Sequence, residues 1–386
     1  MSALTLTALA ENIYRARDIV ARELVGFIPS VTTNTDSDQV STGGTVDSIQ
    51  TSEPTLNTSI SPSMTIPEGD AQTIGVAQLS LDKAVSVQIP MTGENSRKLE
   101  NIGQYPEAVD RMFAQAIRKA VNKIELEVGS ALQLASSRAF GTAGTTPFGS
   151  NFNDVAEIRQ ILADNGCPVE DTERSLVINS SAGTNLRQIA GLWQANTAGT
   201  DATLRRGALL DLHGFAVKES AQVSSHTKGT GTGYLVDLVA GYAIGDTTIH
   251  VDTGTGTILA GDVVTFDGDN NKYIVKTGFA GDGDGDIVLQ GPGLKAALAN
   301  NTAMTIGNSY TGNIGLHREA CELAIRPPAV PMGGDAAVDR MIIADDKSPL
   351  VFEVSQYLGY KKALYTVEAV YGVKVWKPEF VATLLG

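Results

Sequence analysis

Four histidines, two cysteines and 43 acidic side chains are the residues of this 386-residue chain whose types could do chemistry. Their spacing argues against it. His226 sits in a Ser/Thr/Gly run, His250 alternates outward on a β-like run, and His213 and His317 adjoin turns, so all four read as structural. No nucleophile elbow, phosphate-binding loop, HExxH helix or dinucleotide fingerprint occurs. The run Asp282-Gly-Asp-Gly-Asp286 starts like a calcium loop, but an EF-hand needs Gly at position six and Glu at position twelve, where this chain has Ile287 and Gly293. It reads as a solvated turn, as do Asp267/Asp269 and Asp345-Asp346. Cys167 and Cys321 lack any CxxC or Cys/His spacing and read as reduced, half-buried thiols rather than a disulfide. No catalytic residue, cofactor or metal is expected, and the chain does not read as an enzyme.

The elements around these residues must therefore carry the function. A length of 386 exceeds the roughly 250–300 residues a single core sustains, so at least two domains are expected. Charged residues are 19%, and the 40 glycines imply many turns. The net charge of −14 excludes the basic stripe with which proteins grip phosphate backbones. The first 27 residues lack the basic start, apolar run and cleavage site of a signal peptide, and no run reaches the ~18 apolar residues of a membrane span. A soluble protein made in a cytoplasm is expected.

Leu9, Ile13, Val20 and Leu24 stand at helical spacing, and the pattern stops at Gly26 and Pro29. Residues 30–75 are rich in Ser, Thr, Asp and Gly with little periodicity, a composition that is either disordered or laid against something else. Over 78–91 the pattern alternates, with Leu79, Leu81, Val85, Val87 and Ile89 on one side, interrupted by Lys83. That is one long two-faced strand, either an ordinary edge strand or a projecting β-loop whose apolar side needs a neighbour.

From Pro106 the period becomes helical: Val109, Met112, Phe113, Ala116, Ile117, Ala120, Val121, Ile124, Val128, Ala131, Leu132 and Ala135 form one stripe, predicting a helix to about Ser137. Such a helix is a beam roughly 45 Å long. Gly129 is its weak point, costing about 1 kcal/mol against Ala. A helix at 153–165 capped by Asn153 or Asp154, a buried strand at 175–178, helical material at 181–192 and a turn and strand at 213–217 predict α+β structure. Between 224 and 308 short β-like runs at 234–239, 248–251, 263–266, 272–275, 287–289 and 304–306 alternate with Gly, Asp and Asn turns, as in a small antiparallel barrel or sandwich. A core element at 315–325, a Pro-bounded loop and strands at 351–354, 363–370 and 371–376 then resume the mixed pattern, so the β-rich part reads as an insertion.

This order resembles the major capsid proteins of tailed phages with the Hong Kong 97 fold. The resemblance rests on the 79–91 loop strand, the 106–137 helix, Leu316-His-Arg-Glu-Ala through Arg326-Pro-Pro, and Tyr371-Gly-Val to Pro378-Glu379. It implies an α+β capsid fold divided into an N-terminal helix and arm (1–75), an extended β-loop region (76–104), a peripheral domain with a spine helix (105–150), a first axial part (151–223), a β-barrel insertion like that of podovirus-type coat proteins (224–310) and a C-terminal part (311–386). It also implies a subunit that self-assembles into hexamers and pentamers of an icosahedral shell around double-stranded DNA, in a host cytoplasm, with scaffolding, portal and decoration proteins as partners and no membrane. Candidate intersubunit contacts are Leu79, Leu81, Lys83, Val85, Val87 and Ile89. The alternatives are a secreted β-rich adhesin or surface-layer protein and a phage-tail polysaccharide hydrolase.

Overall fold

The computed structural model describes residues 13, 26–51, 56, 60, 62, 64–65, 74–102, 105–168, 173–189, 211–345 and 348–386. Most of the predicted N-terminal helix lies outside them, although Ile13 is helical and buried. The architecture is α+β, with three main cores.

The chain begins with strands β1 (Thr32–Thr35), β2 (Thr45–Thr51), β3 (Ile74–Ser80) and β4 (Lys83–Thr92), then helices α1 (Gly93–Ile102) and α2 (Tyr105–Ala135). α2 has 31 residues, about 46 Å at 1.5 Å per residue, close to its sequence prediction. Its stripe Val109, Phe113, Ile117, Val121, Ile124, Val128 and Leu132 is buried. Each such side chain contributes roughly 1.5–3 kcal/mol. The weak point explains itself: a Cβ on Gly129 would stand 2.7 Å from the Phe27 ring, so the glycine makes room for the chain that precedes β1.

Beyond α2 come β5 (Arg138–Gly141), α3 (Asn153–Asp164), β6 (Arg174–Ile178), α4 (Ser180–Gln188) and β7 (Ala216–Glu219). The predicted α3 cap is not made by a side chain of Asn153 or Asp154. The Asp154 carboxylate instead accepts from Phe148 N at 2.7 Å, closing the loop before the helix. The predicted core element at 315–325 is two strands in two sheets, β17 (Tyr310–His317) and β18 (Cys321–Arg326), separated by a tight turn at Arg318–Ala320. Then follow β19 (Ala337–Asp345), β20 (Ser348–Gly359), β21 (Lys362–Val375) and β22 (Val381–Leu385). The predicted strands at 363–370 and 371–376 are thus the single strand β21.

β21 organises the first sheet. Along one edge it pairs antiparallel with all of β4, Lys362 opposite Thr92 through Tyr371 opposite Lys83. Its other edge takes β20 over its first half and β18 over its second. α2 lies on β4 and β21, so helix and sheet bury one continuous core. The second sheet runs β7-β6-β17-β22-β5 and packs α3 and α4.

The segment at 224–308 forms a β-rich body with its own core: Tyr234, Val236, Ile249, Val251, Val264, Phe266, Tyr273, Val275, Ile287 and Leu289 belong to one cluster drawn only from this span. Its main strands after the short β8 (Ser225–His226) and β9 (Leu235–Val236) are β10 (Thr248–Gly254), β12 (Val263–Phe266), β13 (Lys272–Thr277), β15 (Gly283–Leu289) and β16 (Met304–Ile306), with β11 (Thr257–Ile258) and β14 (Phe279–Ala280) pairing beside them. The strand predicted at 234–239 stops at Val236 and gives way to a loop. The body is joined to the second sheet where Lys272 and Tyr273 pair with Ala139 and Arg138 of β5.

Candidate assembly surfaces

The strand predicted at 78–91 is two strands with different partners. β3 pairs with β2 as an antiparallel hairpin, Thr45 opposite Ser80 through Thr51 opposite Ile74. β4 turns away at Leu81-Asp82 to join β21. The side-chain parity runs unbroken through the turn, which is why the sequence reads as one element. β2 itself falls in the stretch whose composition shows little periodicity.

The six candidate contacts divide accordingly. Leu79 and Leu81 are buried with Ala324 and Val370 at the root of the hairpin. Opposite them a Cβ on Gly372 would stand 2.1 Å from Ser80 O, so the hairpin leaves the body over a glycine. Lys374 Nζ donates to Gln78 O at 2.8 Å, fixing the same root. Lys83 Nζ lies 2.6 Å from Glu127 Oε2 on α2, and Lys123 Nζ lies 2.6 Å from the other oxygen. Hydrogen bonds from Lys123 and Lys83 hold the Glu127 carboxyl below its usual range. Val85 and Val87 are half-buried against the main core, and Ile89 is buried in it. The neighbour that covers this apolar side is the chain's own helix α2 and sheet.

What stands open is elsewhere. Val76 on β3 is 57% exposed, and Leu56, Ile60 and Met64, within the span joining β2 to β3, are exposed too. Single apolar residues spaced through a Ser/Thr run were the available sequence signal for them. The outer edge of β4 is also unpaired among the described residues, and Pro90, with no N–H to offer, sits on it as edge strands allow.

A second group of residues fixes the chain before β1. Glu125 on α2 is 5% exposed, and its carboxylate accepts from Phe27 N at 2.6 Å, Ile28 N at 2.9 Å and Ser220 Oγ at 2.9 Å. Lys218 Nζ donates to Pro29 O and Ser30 Oγ. Burial lowers the Lys218 pKa, with Arg318 adding to the effect. β1 pairs parallel with β18, and Arg326 Nη1 and Nη2 donate to Asn34 O and Oδ1 at 2.7 and 2.8 Å.

The residues with chemical potential occupy separate structural posts. His226 Nε2 is 2.8 Å from Oδ1 of Asp262, a fully buried carboxylate that also accepts from Gly229 N and Leu259 N. His250 Nδ1 is 2.7 Å from Asp286 Oδ1, a bond that raises its pKa. His317 is buried edge-on to Phe380, and His213 lies in a turn with φ 50°. The calcium-like run is mostly strand β15, with Asp282 accepting from Gly256 N. Asp269 accepts from Tyr273 Oη and Asn271 N, so it is a structural turn. Asp346 lies outside the described residues. Both cysteines are buried, more deeply than predicted, and burial pushes the Cys321 thiol up to about 12. Among the described residues no group of three His, Cys, Asp or Glu side chains could hold a metal, and no helix is long and apolar enough to cross a membrane.

No family model and no curated protein matches this chain. Solved structures do. The chain is similar to one of Mycobacterium phage Che8 (14% identity, TM-score 0.46, covering 89% of this chain and 84% of that one). It is similar to one in the capsid of cyanophage P-SCSP1u (12% identity, TM-score 0.44, 92% and 86%). It is also similar to one in the virus-like particle from Pyrococcus furiosus (9% identity, TM-score 0.42, 97% and 98%).

Proposed function

We propose that this chain is the major capsid subunit of a tailed phage, a structural coat protein that self-assembles as hexamers and pentamers into an icosahedral shell around double-stranded DNA. The observation that carries this reading is the pairing of a stiff part with a projecting one. A 31-residue helix is locked to a six-stranded sheet, and from that sheet the β2–β3 hairpin leaves with apolar side chains in water. A subunit that occupies several nearly equivalent positions in a closed shell needs such a rigid body and a segment that grips its neighbour.

In Hong Kong 97 terms, the hairpin serves as the extended loop, α2 as the spine, the sheet of β6, β17, β22 and β5 as axial material, and residues 224–308 as an inserted β domain. The six residues Leu79, Leu81, Lys83, Val85, Val87 and Ile89 then serve contacts indirectly, by setting the direction in which the hairpin leaves. A net charge of −14 keeps enclosed DNA from adhering to the wall. Assembly takes place in a bacterial cytoplasm, with scaffolding and portal proteins as partners.

The test is negative-stain microscopy and sedimentation of the full-length purified chain. Shells or capsomers are expected, and a chain that stays monomeric at every concentration overturns the proposal. Fibres or sheets would instead support the adhesin or surface-layer reading.

A further inference from the structure

Two exposed patches of opposite character lie near opposite ends of α2. The first is the loop between β9 and β10, whose backbone is tied at many points. Gly241 N donates to Leu238 O at 2.8 Å, Tyr242 and Leu298 exchange bonds at 2.9 and 3.0 Å, and Gly245 N donates to Leu294 O at 2.8 Å. Asp246 Oδ2 accepts from Ala243 N at 2.7 Å. A loop so fastened holds its side chains in fixed positions, yet it offers water apolar ones: Val239 is 90% exposed and Ile244 66%. Its flank is acidic. Asp237, Asp284 and Asp286 gather around His250, with Asp284 Oδ2 3.8 Å from its Nε2. Residues 224–310 carry nine aspartates and four lysines, with no glutamate or arginine.

The second patch is the β20–β21 turn. Tyr360 is 89% exposed and Leu358 57%, and the exposed Lys361 and Lys362 follow, the Lys361 ammonium 5.4 Å from the Tyr360 ring. Gly93 N donates to Lys361 O at 3.1 Å, bringing up the start of α1 with exposed Arg97, Lys98 and Glu94. The turn is therefore apolar and basic where the loop is apolar and acidic.

α2 holds the two apart. Near its C-terminal end, Gln133 Oε1 accepts from Ser224 Oγ, and Leu134 O accepts from Gln290 Nε2, both at 2.6 Å, which fastens the β-rich body there. Near its N-terminal end, Phe113 packs edge-on against Tyr365, three residues past Lys362, at 5.6 Å. The helix between Phe113 and Leu134 spans about 30 Å, so the patches cannot meet within one chain. Complementary patches so separated can meet only between copies, head to tail, a contact that repeats into rings or extended arrays.

We infer that the 237–246 loop of one copy docks on the β20–β21 turn of another, Val239 and Ile244 against Leu358 and Tyr360, with Lys361 and Lys362 facing Asp237, Asp284 and Asp286. This rests on the shell-forming reading and adds to it a specific pair of surfaces. Charge of this kind steers encounter and fixes register while the apolar centre supplies the burial.

Because both native thiols are buried, Val239→Cys and Tyr360→Cys in the full-length chain supply the accessible pair. Mild oxidation of particles of the double variant is expected to give a ladder of disulfide-linked multimers on non-reducing gels, absent from either single variant. Lys361→Glu with Lys362→Glu is expected to raise the threshold concentration for assembly about tenfold or more. Adding Asp237→Lys and Asp284→Lys to that chain should restore assembly. Particles that form normally without the ladder, and are indifferent to the lysine reversal, overturn this contact while shell formation stands. A wild-type chain that never assembles overturns both.

Discussion

The stretch 26–44 and the strands β2 and β3 share a composition, Ser, Thr, Asp, Gln and Gly with scattered apolar residues, but the first is stitched into the body and the hairpin of β2 and β3 leaves it. The difference lies in what waits for each. For the first, α2 provides a buried carboxylate at Glu125 and, one turn on, a gap at Gly129 that receives Phe27, while β18 provides a free edge and Arg326 a fork for Asn34. For the hairpin the body provides, among the described residues, a root, the cluster of Leu79, Leu81, Ala324 and Val370. Low periodicity in a sequence therefore does not separate a strap from a free arm. The complementary groups on the distant partner do.

The sharpest break of this contrast is Glu125→Ala. It leaves Phe27 N, Ile28 N and Ser220 Oγ without their acceptor in a buried place, and an expected loss of about 3 kcal/mol or more should appear in the urea midpoint. Leu81→Ala comes next, at about 2–4 kcal/mol, because the root of the hairpin would be left hollow. Its counterpart Val76→Ser, on the same hairpin, is expected to change stability by no more than about 0.5 kcal/mol yet to reduce particle yield. Equal effects of the two on the urea midpoint would erase the distinction between root and projection. Arg326→Lys, which gives up the forked bond to Asn34, is expected to cost about 1 kcal/mol and to raise hydrogen exchange in β1 before other strands.

Much of the architecture was legible in the sequence because strict periodicity survives folding. The α2 stripe and the short strands of the β-rich body sit where the pattern puts them, apart from the one that yields to a loop at Asp237. Pairing partners were not legible. The alternation through 79–91 keeps its parity across Leu81-Asp82, so nothing local reveals that the two sides of that point join different sheets. The candidate surface was half legible for the same reason: an apolar face is visible in a sequence, whereas the identity of its cover is a long-range property. Glu125 was invisible as an anchor because a single acid in an apolar stripe looks like noise until the backbone amides at 27 and 28 come to it from 97 or more positions away.

The smallest effect concerns Lys83, the residue that interrupts that alternation. Its ammonium and that of Lys123 hold Glu127 ionised below the usual carboxylate range, so the carboxylate's contribution is present above its ordinary value near 4.5 and is lost as pH falls through the lowered value. Both lysines are more than a third exposed, and solvent screening reduces the pair to a few tenths of a kcal/mol. Lys83→Met should therefore be less stable than the natural chain by that amount at pH 7. The gap should shrink as pH falls through the lowered carboxyl value, and shrink also in molar salt. A gap that persists in acid would mean that the aliphatic stem of Lys83, packed between β4 and α2, does the holding. In either case particle yield should stay unchanged, because Lys83 is held by Glu127 on α2 of its own chain.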